Sequence, residues 1–139
     1  MIRSRKPHIL IVEDEITNQI VMRCIIERAG YSCEIVDRGE IAIERVREKS
    51  YGMIFMDLEL LGVVDGGQVT ECIRAYEGEN KLPQLPIVLI SGTIEADDYS
   101  KFYNLGCNEV YTKPASPQQI ESLLRHYAPI EKNPQNVAA

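Results

Sequence analysis

This chain predicts an α/β fold, a parallel sheet with helices on both faces, and three observations lead there. Five short apolar runs alternate with segments of helical spacing. The first run is apolar without interruption, which suits a strand buried on both faces. The length of 139 residues, 45% of them hydrophobic, suits one domain with a core that needs no disulfide or metal staple.

The first strand is expected at 8–12, where Ile9, Leu10, Ile11 and Val12 run straight into Glu13, Asp14 and Glu15. A helix over 17–29 follows, with Val21, Ile25, Ala29 and Ile20, Cys24 on its apolar stripe and Gly30 ending it. The second strand is expected at 31–36, with Asp37 as cap of a helix over 39–49. After the third strand at 53–57, the spacing Val69, Cys72, Ile73, Tyr76 marks a helix. The segment EGENKLPQLP at 77–86 reads as a polar loop. A fourth strand at 87–91, a helix over 95–105 ended by Gly106 and a fifth strand at 107–112 complete the alternation. The last helix carries its own start signals: Ser116 as cap, Pro117 at the first position and Gln119 three residues after the cap, ahead of Ile120, Leu123, Leu124 and Tyr127. The domain is therefore expected over 8–127, between an N-terminal extension, 1–7, and a flexible tail, 128–139.

Charge and composition exclude several functions. The net charge of −6 and the lack of any Lys/Arg block argue against a nucleic-acid partner. The apolar run at 9–12 is too short for a signal-peptide core or a membrane span, so a soluble, cytoplasmic protein is expected. Cys24, Cys33, Cys72 and Cys107 follow no zinc or redox spacing and are expected as small buried hydrophobes. Tyr31, Tyr51, Tyr99 and Tyr103 are expected as packing residues.

In an open parallel sheet, ligands bind beyond the carboxyl ends of the strands. Those ends carry Glu13 and Asp14, then Asp57, then Ser91 and Gly92, then Lys113 and Pro114. Each has a bland reading. Glu13 and Asp14 also suit a helix start, Ser91 a turn, and Lys113 a solvated surface. Asp57 at the end of MIFM would be costly if buried without a partner. Together they form a kit: clustered carboxylates are relieved by a hard divalent cation such as Mg²⁺, lysine and serine bind an anion, and an aspartate beside a metal can attack phosphorus.

The segments IVEDE at 11–15, MIFMD at 53–57, VLISG at 88–92 and YTKP at 111–114 resemble the signature segments of response-regulator receiver domains of two-component signalling. The run VEDEITNQIVMRCIIERAGY is particularly similar to the receivers of hybrid sensor histidine kinases. The resemblance implies a flavodoxin-like (βα)5 doubly wound sheet of order 2-1-3-4-5. It implies Asp57 as phosphoacceptor and metal ligand, Asp14 binding Mg²⁺ directly, Glu13 mostly through water and Glu59 through its backbone carbonyl. Ser91 and Lys113 would hold the phosphoryl oxygens, and the Lys113–Pro114 bond would be cis. The implied donor is a histidine kinase or histidine phosphotransfer protein, and the output is contact with another protein. Such a chain is a phosphoacceptor and not a dedicated enzyme, and its 139 residues hold no expected output domain, so it is also readable as a piece of a larger kinase.

The resemblance has departures. Leu61 stands where receivers usually carry proline, Asp65 falls eight residues after Asp57 where seven is usual, and Val110 occupies the usual aromatic position three residues before the lysine. A phosphorylation-independent pseudo-receiver is the alternative within binding modules. A phosphatase of the haloacid-dehalogenase type would need a second aspartate where Glu59 stands, and a flavin binder would want a neutral first loop where VEDEI stands.

Overall fold

The computed structural model describes residues 7–92 and 94–130. Strands β1 (His8–Val12), β2 (Ser32–Val36), β3 (Met53–Asp57), β4 (Ile87–Ser91) and β5 (Glu109–Thr112) alternate with helices α1 (Ile16–Arg28), α2 (Gly39–Glu48), α3 (Gly66–Asn80), α4 (Asp98–Leu105) and α5 (Pro117–Tyr127). The strands form one parallel sheet in the order β2-β1-β3-β4-β5, as the resemblance implied.

The uninterrupted apolar runs work because both faces of the sheet are covered. Strand alternation sends Ile9, Ile11, Met53, Phe55, Val88 and Ile90 to one side, where Ile25 and Ile26 of α1 and Ile120, Leu123 and Leu124 of α5 meet them. The intervening Leu10, Val12, Ile54, Met56, Ile87 and Leu89 face Ala42 of α2, Val69 and Ile73 of α3 and Phe102 of α4. Each fully buried Ile, Leu, Met or Phe contributes roughly 1.5–3 kcal/mol of transfer free energy.

Several boundaries differ from expectation, for physical reasons. Helix α3 runs through Glu77–Asn80, residues the sequence assigned to a polar loop, because a capping box of Asp65 and Gln68 starts it and Lys81 in the left-handed conformation ends it. Asp37 does not cap α2; Arg38 holds that position, with no side-chain cap bond. Helix α4 starts at Asp98, three residues later than expected, and β5 starts at Glu109, after Cys107 and Asn108. The last helix begins as read, with Ser116 and Gln119 bonded reciprocally and Pro117 at its first turn.

Of the cysteines only Cys107 is buried; Cys24 and Cys72 lie on exposed helix faces and Cys33 is half-buried on the edge strand β2. Tyr31 packs in the core, whereas Tyr99 and Tyr103 are exposed on α4, since Phe102 takes that helix's inward position. Tyr51 is half-buried and donates to Glu34. Ala128 is buried and Ile130 packs against the α1/α5 side of the core. The expected extension, apart from Pro7, and residues 131–139 of the expected tail lie outside the described residues.

Candidate functional site

The sheet's register places the strand ends side by side. Val12 pairs with Met56, so Glu13 comes next to Asp57 one step further on. Ser91 pairs with Thr112, which brings Lys113 alongside. Parity then decides which side chains meet. Glu13 continues Ile9 and Ile11, Asp57 continues Met53 and Phe55, and Lys113 continues Tyr111, all on the α1/α5 side. Ser91 continues Ile87 and Leu89, on the other side.

The contacts follow that division. Lys113 Nζ donates to Asp57 Oδ2 at 3.0 Å and to Glu13 Oε1 at 3.2 Å. Asp57 Oδ1 accepts the Glu59 amide at 3.1 Å. Ser91 Oγ instead donates to Glu59 Oε1 at 2.5 Å. Glu13 also accepts the Glu15 amide at 3.1 Å, while Gln19 of α1 donates to its backbone carbonyl at 2.7 Å. The helix-start reading of Glu13 is incomplete: Glu15 holds the N-cap position of α1 without a side-chain cap bond, and the Glu13 carboxylate divides between the Glu15 amide and the lysine. Glu13, Asp14 and Asp57 each offer an oxygen within 4.8 Å of the others, a donor set of hard carboxylates with the chemistry of a divalent-cation site.

Electrostatics set the character of this cluster. Glu13 and Asp57 are each 5% exposed, so both carboxylates are largely withdrawn from water. Burial pushes the Asp57 carboxyl up to about 7, helped by the charge of Glu13 and opposed by the hydrogen bond from Lys113. Lys113 loses by burial as well, yet its hydrogen bonds and charge contacts with Asp57 and Glu13 outweigh that loss and raise its pKa. One lysine cannot neutralise three carboxylates, so the cluster keeps a negative excess that suits a divalent cation. A cavity of about 110 Å³ lies beside it, with Met22, Phe55, Asp57, Lys113 and Pro114 in its wall. The Lys113–Pro114 bond is cis.

The loop between β3 and α3 is tied to the site by its main chain. The Leu61 amide donates to Asp14 Oδ2 at 3.0 Å, a bond that proline at this position could not make. Gly66 brings the start of α3 so close that a Cβ there would lie 2.5 Å from the Asp57 carbonyl oxygen. All the residues read as site residues converge: Glu13, Asp14, Asp57 and Lys113 directly, Glu59 through its amide and Ser91 through Glu59. The reading missed the Glu59 side chain and the Leu61 amide. Leu61 in a proline position was a visible signal for the second.

Comparison with known proteins gives the family. The response regulator receiver domain matches residues 9–125. This chain belongs to that family. Among relatives of the receiver, the sensor protein GacS of Pseudomonas syringae pv. syringae is 30% identical over 138 residues, covering 94% of this chain and 15% of that protein. Transcription factor SKN7 of Chaetomium thermophilum is 30% identical over 142 residues, covering 100% of this chain and 18% of that protein. The receiver thus spans less than a fifth of these relatives. Its fold matches the receiver domain of a sensor histidine kinase from Pseudomonas aeruginosa, a structure with magnesium coordinated in the active-site cleft, at TM-score 0.77 and 28% identity over 88% of this chain and 97% of that one. It also matches a co-crystal of the Saccharomyces cerevisiae histidine phosphotransfer protein Ypd1 with the receiver domain of Ssk1, at TM-score 0.81 and 26% identity over 90% of each chain.

Proposed function

We propose that residues 8–127 form a phosphoryl-accepting receiver that takes a phosphoryl group from the phosphohistidine of a histidine kinase or histidine phosphotransfer protein onto Asp57. The observation that carries this reading is Lys113 Nζ bonded to both Asp57 and Glu13 in a cluster of three carboxylates at adjoining strand ends. In the transfer, an Asp57 carboxylate oxygen attacks phosphorus, the phosphorus–nitrogen bond breaks, and its electron pair stays on the imidazole nitrogen. The product is an aspartyl phosphate, which hydrolyses when water attacks phosphorus and the carboxylate leaves.

Each residue has a defined part. Lys113 stays charged and holds a phosphoryl oxygen, Ser91 and the Gly92 amide hold another, and burial of Asp57 keeps bulk water from competing. Mg²⁺ fits the donor set: Asp14 and Asp57 would ligate it directly, Glu13 mostly through water and Glu59 through its backbone carbonyl. Bound there, it would neutralise the phosphoryl oxygens and allow Asp57 to work as a carboxylate at neutral pH. The magnesium-bearing structure of the related kinase receiver supports this choice of ion.

The partner arrives at a rim with apolar anchors. Ile16, Ile20 and Val21 on α1, with Leu61 and Val63 in the loop, stand exposed around the strand ends. The Ypd1–Ssk1 co-crystal supports a phosphotransfer protein as the class of partner. The receiver modifies only itself and is not a dedicated enzyme. Among the described residues no helix is long and apolar enough to cross a membrane, and we place the domain in the cytoplasm, signalling by contact with a further protein.

The test is mass spectrometry after incubation with acetyl phosphate, with and without Mg²⁺. One phosphoryl group should appear on the parent only with Mg²⁺, and none on Asp57→Asn. Full modification of Asp57→Asn would refute the assignment. A parent that stays unmodified under all conditions would favour a phosphorylation-independent binding module.

A further inference from the structure

Glu59 enters the expected chemistry only through its backbone carbonyl, yet its side chain has a post of its own. Ser91 is fully buried, and its hydroxyl gives Glu59 Oε1 a 2.5 Å bond. The Gly92 amide points at the other oxygen, Glu59 Oε2, at 3.5 Å, the outer limit of a hydrogen bond. A hydroxyl and a main-chain N–H at the end of β4 thus form a small cradle for an anion, and a carboxylate sits in it. The anion comes from the residue whose amide binds Asp57 Oδ1 at 3.1 Å, so cradle and acceptor are within one short turn of chain.

We propose that Glu59 is a built-in competitor for this cradle, occupying in the unmodified protein the donors that the phosphoryl oxygens take over on Asp57. The inference rests on the phosphoacceptor reading above. Three points carry it. A serine hydroxyl has one proton to donate, so the two anions exchange for it one for one. A carboxylate left beside a phosphoryl group repels it, so Glu59 must leave and cannot share the site. Glu59 is exposed, whereas Ser91 is not, so the side chain can swing into water without disturbing the core.

Glu59 then sets how tightly the site takes the incoming group. It lowers the net affinity for the incoming group by the strength of one charge-assisted bond. Its release also removes the side-chain tie between the β3–α3 loop and the end of β4, leaving the Leu58 amide on the Ile90 carbonyl.

The experiment is calorimetric titration of the whole chain with beryllofluoride at saturating Mg²⁺, Mg²⁺ affinity being measured separately. Asp57→Asn is the blank. Glu59→Ala should bind the analogue on the order of tenfold more tightly than the parent, and Glu59→Gln, which keeps an acceptor but loses the charge, should fall between. In a Ser91→Ala background the gain from Glu59→Ala should largely vanish, which a general loosening of the loop would not produce. Equal or weaker binding by Glu59→Ala, with the parent binding normally, overturns the competitor. Absence of binding by parent and variants alike overturns the phosphoacceptor reading and this inference with it.

Discussion

Asp57 is the residue in which sequence, environment and chemistry meet. Its position after MIFM made an unpartnered role costly, and the structure supplies Lys113 as the partner. Lys113 and Glu13 were legible because strand parity and strand-end position are properties of sequence. The Glu59 side chain was not, because a residue two steps into a loop has no periodicity to aim it. The raised Asp57 pKa has a definite sign for stability. Its carboxyl titrates near 7 in the fold but at 3.8 in an ordinary aspartate, so between those values the folded chain binds more protons than the unfolded one. Stability of the divalent-free protein therefore falls as pH rises from about 4 through about 7. Removing the charge removes the penalty. In EDTA at pH 8, Asp57→Asn should melt several degrees above the parent, a gain on the order of 1–2 kcal/mol, and the gap should close toward pH 5. Mg²⁺ should raise the melting temperature of the parent more than that of the variant. A gap that stays constant from pH 5 to 8 would mean that Asp57 does not titrate in this range.

At the scale of elements, the five strands and the last helix were legible because apolar runs and a capping box are local signals. Helix α3 was legible only in part. Its own box, Asp65 with Gln68, is of the same kind as Ser116 with Gln119, but it lies at the end of a loop whose length departs from the family pattern. That loop is where the element earns a function. The Leu61 amide holds Asp14 at 3.0 Å, fixing the orientation of a carboxylate in the proposed metal site. Leu61→Pro restores the usual family residue and deletes the donor. Mg²⁺ affinity, read by titration of backbone amide shifts, should fall about tenfold in Leu61→Pro while the melting temperature in EDTA changes little, since Leu61 itself is exposed. Unchanged Mg²⁺ affinity would show that Asp14 is oriented without the loop.

At the scale of the whole molecule, the question is how an event at the strand ends reaches a partner. Val110, where the family usually has an aromatic residue, is buried among Leu89, Phe102 and Cys107 on the α2/α3/α4 side of the sheet. A small β-branched side chain in a packed site has few rotamers and little area to expose. Tyr111, one residue on, packs toward α1 and α5, the opposite face, as strand alternation requires. Val110 thus has no two-position swing to offer, and Tyr111 lies across the sheet from the Ser91 side chain. The β3–α3 loop can respond, because it is tied to the site at three points: the Glu59 amide on Asp57, the Glu59 carboxylate on Ser91 and the Leu61 amide on Asp14. A phosphoryl group that displaces even one of these ties changes the balance of the others. The loop also carries the exposed apolar Leu61 and Val63, so any movement there alters a surface that a partner can read. Amide shift changes on adding Mg²⁺ and beryllofluoride should therefore concentrate at 58–66 and 91–97. If the largest changes fall on Val110, Tyr111 and α5 while the loop stays quiet, the signal leaves through the sheet's far edge without an aromatic switch, and the loop does not carry it.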